Sequence, residues 1–226
     1  MNKTELIPML FEHGVVRINT IDGFLLAGGG RAPVYLDHRR LFGIPKLREA
    51  ALDVWADQLR AKIMQHTSTH GDVTRVGCVG TATAGIAPAF GLATRLGAPF
   101  GYVRSSPKAH GLGQIVEGAP LDGTPVIVVD DMVTTGGSIV QACNILRKAE
   151  CSVILATSFT SKYKLSCLTL DATHNANEKG IENAQVVTDF VHVFSLRELL
   201  ESGSALGCMT SDQWQSVAQW SNDSGI

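Results

Sequence analysis

The chain has 226 residues, 45% of them hydrophobic, and 19 Lys and Arg against 21 Asp and Glu give a net charge of −2. That length and apolar content suit one substantial core with an elaboration better than two independent domains. The near-neutral, mixed-sign charge offers no electrostatic reason to bind nucleic acid or an anionic membrane, so the expected partner is a small molecule.

In chain order, the opening MNKTELIPMLFEHG carries acids and no long apolar run, and reads as neither a secretory signal nor a membrane span. Residues 1–45 are mixed in character, broken by Gly28-Gly29-Gly30, and predict a small hood layer over a sheet. Across 46–66, Leu47, Ala50, Ala51, Val54, Leu59 and Ile63 recur near helical period, predicting a long amphipathic helix. Apolar runs then predict strands at 75–79, 100–103, 126–129, 153–159 and 191–194. Between them fall helices near 84–96, 138–149 and 196–201, the last opened by the capping-box pattern Ser195-Leu-Arg-Glu198. Such alternation predicts one α/β domain over 1–226, with a mainly parallel sheet flanked by helices and ligands beyond the carboxyl ends of its strands. Residues 161–188 are polar, weakly periodic and too long for an ordinary connection, so they receive no assignment; SNDSGI reads as a short polar tail. Cys78, Cys143, Cys151, Cys167 and Cys208 are odd in number and form no C-x-x-C pair. That usage suits reduced core thiols in the cytoplasm rather than disulfides or zinc.

The chemistry concentrates in 126–138. Four consecutive branched residues, Val126 to Val129, leave no polar side to face water, so this strand is expected to be buried on both faces, with Asp130 and Asp131 at its carboxyl end. Ile139, Ala142, Cys143 and Leu146 fall at helical spacing, which makes Thr134-Thr135-Gly136-Gly137 a loop that opens a helix. Free N–H groups, small residues and hydroxyls at a helix start form an anion cradle. Nothing here supplies the lysine of a nucleotide-hydrolysing P-loop, and Gly80 to Gly85 lacks the middle glycine of a dinucleotide fingerprint. Paired acids just before a phosphate cradle suit a ligand with a diol near a phosphate, as in ribose 5-phosphate.

Val128-Val-Asp-Asp-Met-Val-Thr-Thr-Gly-Gly-Ser138 resembles the phosphoribosyl pyrophosphate (PRPP) signature of type I phosphoribosyltransferases. Tyr102-Val-Arg-Ser-Ser-Pro-Lys-Ala-His-Gly111 is similar to the mobile catalytic loop of the orotate phosphoribosyltransferases. Arg31-Ala-Pro-Val-Tyr-Leu-Asp-His-Arg39 resembles their N-terminal segment, Ala82-Thr-Ala-Gly-Ile86 their A-T-A-G-I turn, and the stretch from Trp220 their W-x-x-D ending. The resemblance covers most of the chain outside 161–188.

It implies the type I phosphoribosyltransferase fold and conversion of orotate and PRPP to orotidine 5'-monophosphate and pyrophosphate, with Mg2+ as cofactor. It also implies a homodimer with shared active sites, and neither nucleic acid nor membrane as partner. By the same resemblance PRPP is bound by Arg104, Lys108, His110, Asp130, Asp131, Met132, Val133, Thr134, Thr135, Gly136, Gly137 and Ser138, and orotate by Tyr35 and Thr134. Lys108, His110 and Asp131 are the catalytic residues, and Asp130 and Asp131 meet the metal directly or through ribose hydroxyls and water. Charge development agrees, because breaking the C1–O bond makes pyrophosphate more negative and the ribose ring positive, which calls for cations at one end and acids at the other. Residues 105–118, with Gly111, Gly113 and Gly118, are expected to form a lid without regular structure.

Some lysines common in the family are replaced here by Ala27, Ser105 and Ser106, and 152–160 contains no arginine to clamp the orotate carboxylate. A PRPP or nucleotide sensor that kept the loop and lost its cations, and a phosphoribosyltransferase for another base, are the alternatives. Lys108 and His110 speak against the first, the YVRSSPKAHG loop against the second.

Overall fold

The computed structural model describes residues 1–26, 29–70, 76–105, 115–119, 121, 123–163, 167–168 and 188–226. The N-terminal region is more regular than its mixed composition suggests. Helix α1 (Lys3–Glu12) starts with a full capping box: Glu5 N donates to Asn2 Oδ1 and Asn2 N to Glu5 Oε2, both at 2.9 Å. Its Leu6, Ile7 and Leu10 are buried in the main core. Two small antiparallel pairs follow, β1 (Val16–Ile18) with β4 (Val34–Leu36) and β2 (Phe24–Leu25) with β3 (Arg31–Ala32). Asp37 caps the short α2 (His38–Gly43), and Pro45 opens the long α3 (Pro45–His70) at a position that needs no N–H donor.

The central sheet takes β5 (Gly77–Thr81), β6 (Phe100–Val103), β7 (Val116–Gly118), β8 (Pro125–Val133), β9 (Ser152–Ser161), β10 (Cys167–Leu168) and β11 (Thr188–Ser195). Its seven strands run in the order β10-β11-β9-β8-β5-β6-β7. The five inner strands are parallel and both edges antiparallel. Helices α4 (Ile86–Leu96), α5 (Gly137–Lys148), α6 (Leu196–Ala205) and α7 (Ser211–Asp223) complete the layers. From β5 the chain steps to β6 on one side and later returns to β8 on the other, so the direction of winding reverses between β5 and β8. That reversal point is where open parallel sheets hold ligands.

Strand β8 is buried on both faces, as four branched residues in a row require. Ile127 and Val129 enter the core shared with Leu52, Trp55 and Leu59 of α3, while Val126 and Val128 enter the one shared with Ile139, Cys143 and Leu146 of α5. Cys78, Cys143 and Cys208 are free thiols, and burial pushes Cys78 up to about 12 and Cys143 up to about 11. No helix among the described residues is long and apolar enough to cross a membrane.

Four expectations need correction. Strand β8 does not stop before the acids but continues to Val133, because Asp130, Met132 and Val133 keep pairing with Ser158, Thr160 and Ser161 of β9. The expectation that 105–118 has no regular structure fails at its end, where Val116, Glu117 and Gly118 pair with β6, while 106–114 lie outside the described residues. The sequence SNDSGI is no loose tail: α7 runs to Asp223, and the carbonyl of the buried Ile226 accepts from Arg197 Nε at 2.6 Å. At Ser195 only half the capping box forms, with Glu198 N donating to the serine hydroxyl at 3.2 Å. Most of 161–188 lies outside the described residues, apart from 161–163, 167–168 and Thr188.

The strongest polar tie between α3 and the sheet is Trp55, fully buried, whose Nε1 donates to the equally buried Thr157 Oγ1 at 2.7 Å. Trp55→Phe removes the donor, strands a buried hydroxyl and opens a gap, and is expected to cost about 2–4 kcal/mol in urea unfolding. Adding Thr157→Val should recover part of that loss; a double variant as unstable as the sum of the two singles would show that the bond contributes nothing.

Candidate active site

The site forms at the carboxyl ends of β5 and β8. After Thr81 the chain turns back through 82–85, with Ala82 N donating to Val103 O at 2.9 Å and Gly85 N to Thr81 O at 3.0 Å. The turn lies so close that a Cβ on Gly80 would stand 2.5 Å from Gly85 O, and one on Gly85 2.6 Å from Thr81 Oγ1. Glycine at both positions is what lets the turn fold down onto the end of β8, where the Thr81 hydroxyl donates to Val129 O at 3.5 Å.

Side-chain alternation along β8 sends the neighbouring acids to opposite faces. Asp130 continues the Val126 and Val128 side toward α5, and Asp131 the Ile127 and Val129 side toward α2 and α3. Each carboxylate accepts the next backbone N–H, Asp131 N to Asp130 Oδ1 at 2.9 Å and Met132 N to Asp131 Oδ1 at 2.8 Å. Asp130 is only 8% exposed, and burial, reinforced by the charge of Asp131, pushes its carboxyl up to about 7.

Beside Asp130 a cavity of about 50 Å3 is walled by Thr134, Thr135, Gly136, Gly137 and Ser138. Gly136, at φ +80°, turns the loop into α5, and no side chain caps that helix. Its first-turn N–H groups thus adjoin a loop that carries the hydroxyls of Thr134, Thr135 and Ser138, an arrangement chemically able to receive an anion. Met132 and Val133 connect acids and loop; Val133 is buried and Met132 lines the cavity.

The hood reaches the acids from the other side. Tyr35 stands on β4, 44% exposed with its ring 5.6 Å from that of Phe24, so it is no core aromatic. Three residues on, roughly 10 Å of chain at most, buried His38 brings Nδ1 to 3.9 Å from Asp131 Oδ2. Burial lowers the His38 pKa, against the opposing pull of Asp131 and Asp37. Arg104 leaves β6 with its N donating to Ile115 O at 2.9 Å, and its guanidinium stands 3.7 Å from Glu117. Lys108, His110, Ser106 and Ala27 lie outside the described residues. Sequence reading missed Thr81, His38 and Glu117. Thr81 was signalled by its place ending the strand before a Gly-rich turn; the other two had no local signal.

Residues 56–187 match the phosphoribosyl transferase domain family, a match that runs through the polar segment left unassigned above. Over 219 residues, 96% of this chain and 94% of the relative, the sequence is 32% identical to an orotate phosphoribosyltransferase of Bacillus cereus. The chain belongs to the orotate phosphoribosyltransferase family. A solved orotate phosphoribosyltransferase from Aeropyrum pernix, 30% identical, superimposes with a TM-score of 0.59 over 91% of this chain and 99% of that one. The same fold recurs in the Mycobacterium tuberculosis orotate phosphoribosyltransferase in complex with PRPP, at 20% identity and a TM-score of 0.55 over 87% of this chain and 98% of the other. As a member of this family the protein is a pentosyltransferase of pyrimidine biosynthesis.

The raised carboxyl of this phosphoribosyltransferase has a measurable consequence. Folded Asp130 holds its proton more tightly than the unfolded chain does, which favours the folded state below the ordinary value of 3.8; that advantage is lost as pH rises toward about 7. Asp130→Asn removes the effect. Its melting temperature relative to the wild type should climb between about pH 4 and pH 7 and level off by about pH 8, as read by ligand-free thermal scans. A difference that stays flat over that range would show an ordinary carboxyl.

Proposed function

We propose that this enzyme transfers the 5-phosphoribosyl group of PRPP to orotate with Asp130 and Asp131 on the ribose diol and the 134–138 loop on the 5'-phosphate. The observation that carries the reading is the juxtaposition of a buried acid, Asp130, and a half-buried one, Asp131, with an uncapped helix start at the reversal point of the sheet. Each carboxylate accepts from one ribose hydroxyl, while backbone N–H groups and the Thr134, Thr135 and Ser138 hydroxyls hold the phosphate. As the C1–O bond breaks, positive charge grows on the ring beside the acids and is stabilised there, with Asp131 as the catalytic acid-side residue. Arg104, Lys108 and His110 serve the pyrophosphate. Arg104 must leave Glu117 to do so, a short move for an ion pair at 3.7 Å.

Mg2+ fits the chemistry of the donors present. Two crowded carboxylates offer hard oxygens and resist sharing full negative charge, which a divalent cation relieves. Among the described residues no group of three His, Cys, Asp or Glu side chains could cage a metal, and Mg2+ characteristically keeps waters and takes substrate oxygens instead. Asp130 and Asp131 would hold it, directly or through the ribose hydroxyls and water, and bound Mg2+ supplies neutralising charge to the departing pyrophosphate. Orotate is placed between Tyr35 and Thr134, supported by the exposed tyrosine and by the short path from it to Asp131. The thiols of Cys78, Cys143 and Cys208, outside any disulfide, suit a cytoplasmic enzyme.

The phosphate assignment is tested at Gly137, where a Cβ would meet only Thr135 Oγ1, at 3.9 Å. Gly137→Val should keep its unfolding midpoint and lose PRPP binding in calorimetry, because the new methyls occupy ligand space; normal saturation would move the phosphate elsewhere. Gly136 is the poorer target, since any side chain is strained at its positive φ.

The working unit is a homodimer whose loop, bearing Lys108 and His110, completes the neighbour's site. Lys108→Ala and Asp130→Asn/Asp131→Asn proteins, each nearly inactive, should regain up to about a quarter of wild-type activity after subunit exchange, since half of randomly paired dimers are mixed and each holds one intact site. Demonstrated exchange without recovered activity would place the loop in its own subunit's site.

A further inference from the structure

His38 belongs to neither the PRPP signature nor the catalytic loop, yet it is 4% exposed and sits where hood and sheet meet. Its ring packs edge-on against Phe159 at 5.9 Å, Nε2 lies 2.9 Å from Thr160 Oγ1, and Nδ1 lies 3.9 Å from Asp131 Oδ2. The neighbouring Asp37 is occupied elsewhere, accepting from Arg40 N and pairing with Arg17. We propose that His38 is a positioning residue: locked by Thr160, it presents an N–H to Asp131 and sets the angle at which that carboxylate meets the ribose of PRPP. This inference rests on Asp131 being a ribose ligand, as argued above.

The polarity follows from the partners. A neutral imidazole carries one N–H and one acceptor nitrogen. Thr160 has a hydroxyl free to rotate and donate to Nε2, whereas a carboxylate only accepts, so the arrangement that satisfies both puts the proton on Nδ1, toward Asp131. A buried histidine between a hydroxyl and a carboxylate has the composition of a nucleophile-activating triad, but Thr160 is fully buried and reaches no substrate. The histidine's influence therefore runs toward Asp131. The Met132 N–H already holds Asp131 Oδ1, and His38 adds a second restraint at Oδ2, so rotation about χ2, which moves both oxygens together, is opposed at each of them. The 3.9 Å separation exceeds a hydrogen bond, so at this distance the Nδ1–H acts on the carboxylate through its electrostatic attraction.

Two amide replacements separate the roles, because Asn places its amide group at the level of Nδ1 and Gln at the level of Nε2. His38→Asn keeps a donor toward Asp131, and should hold the KM for PRPP within about threefold of wild type. His38→Gln keeps the Thr160 contact and loses the donor, and should raise that KM about tenfold, with urea midpoints of both variants recorded to set folding aside. In an Asp131→Asn background the two replacements should become equivalent, as coupling through one carboxylate requires. Equal KM values for the two single variants, a better Gln than Asn, or a difference that persists without Asp131 would overturn the role of His38. An Asp131→Asn protein with unchanged PRPP affinity would instead overturn the ribose assignment itself.

Discussion

Alternation along β8 governs the site. A strand covered on both faces must be apolar on both, and the chain then adds two acids without breaking the pairing, so Asp130 inherits a buried position and Asp131 a half-buried one on opposite sides of one sheet. Burying charge is costly unless it is hydrogen-bonded. The surroundings are arranged around that cost: successive backbone N–H groups on both acids, the β5 turn against the end of β8, and His38 facing Asp131. The adjacent acids are thereby served by different parts of the molecule, one by the β5 turn and α5, the other by the hood.

The same strand sets the spacing between the two acids and the 134–138 loop. With pairing held as far as Val133, the loop starts from a fixed point, and the left-handed turn at Gly136 directs the first N–H groups of α5 back toward the acids. A strand that ended at Val129 would leave acids and loop free to move independently. The correction to the length of β8 is thus a functional one, since the acids are rigid because they are still strand.

What was legible in the sequence follows from how local each determinant is. Four branched residues before two acids, and a glycine and hydroxyl run before a periodic helix, are contiguous, and the fold of the 134–138 loop was readable from them. Helices α1 and α7 were also encoded locally, by Asn2 with Glu5 and Thr210 with Gln213, a three-residue spacing that announces a capping box. Strand β7 was hidden because three residues around a glycine show no period; its pairing with β6 depends on Gly118, where a Cβ would stand 2.7 Å from Gly101 Cα. The docking of Ile226 and the approach of His38 to Asp131 are tertiary facts, made by residues far apart in the chain, and no local pattern announces them.

Strand β9 carries two buried hydrogen bonds to the helices above it, from Trp55 to Thr157 and between His38 and Thr160. One such attachment would act as a pivot. Two, made to different helices, fix both position and orientation, so α2 and α3 cannot slide or swivel along β9 without breaking a buried bond. Strain imposed on the end of β4 is therefore handed on undiminished to the centre of the sheet, as through a pinned joint rather than a cushion.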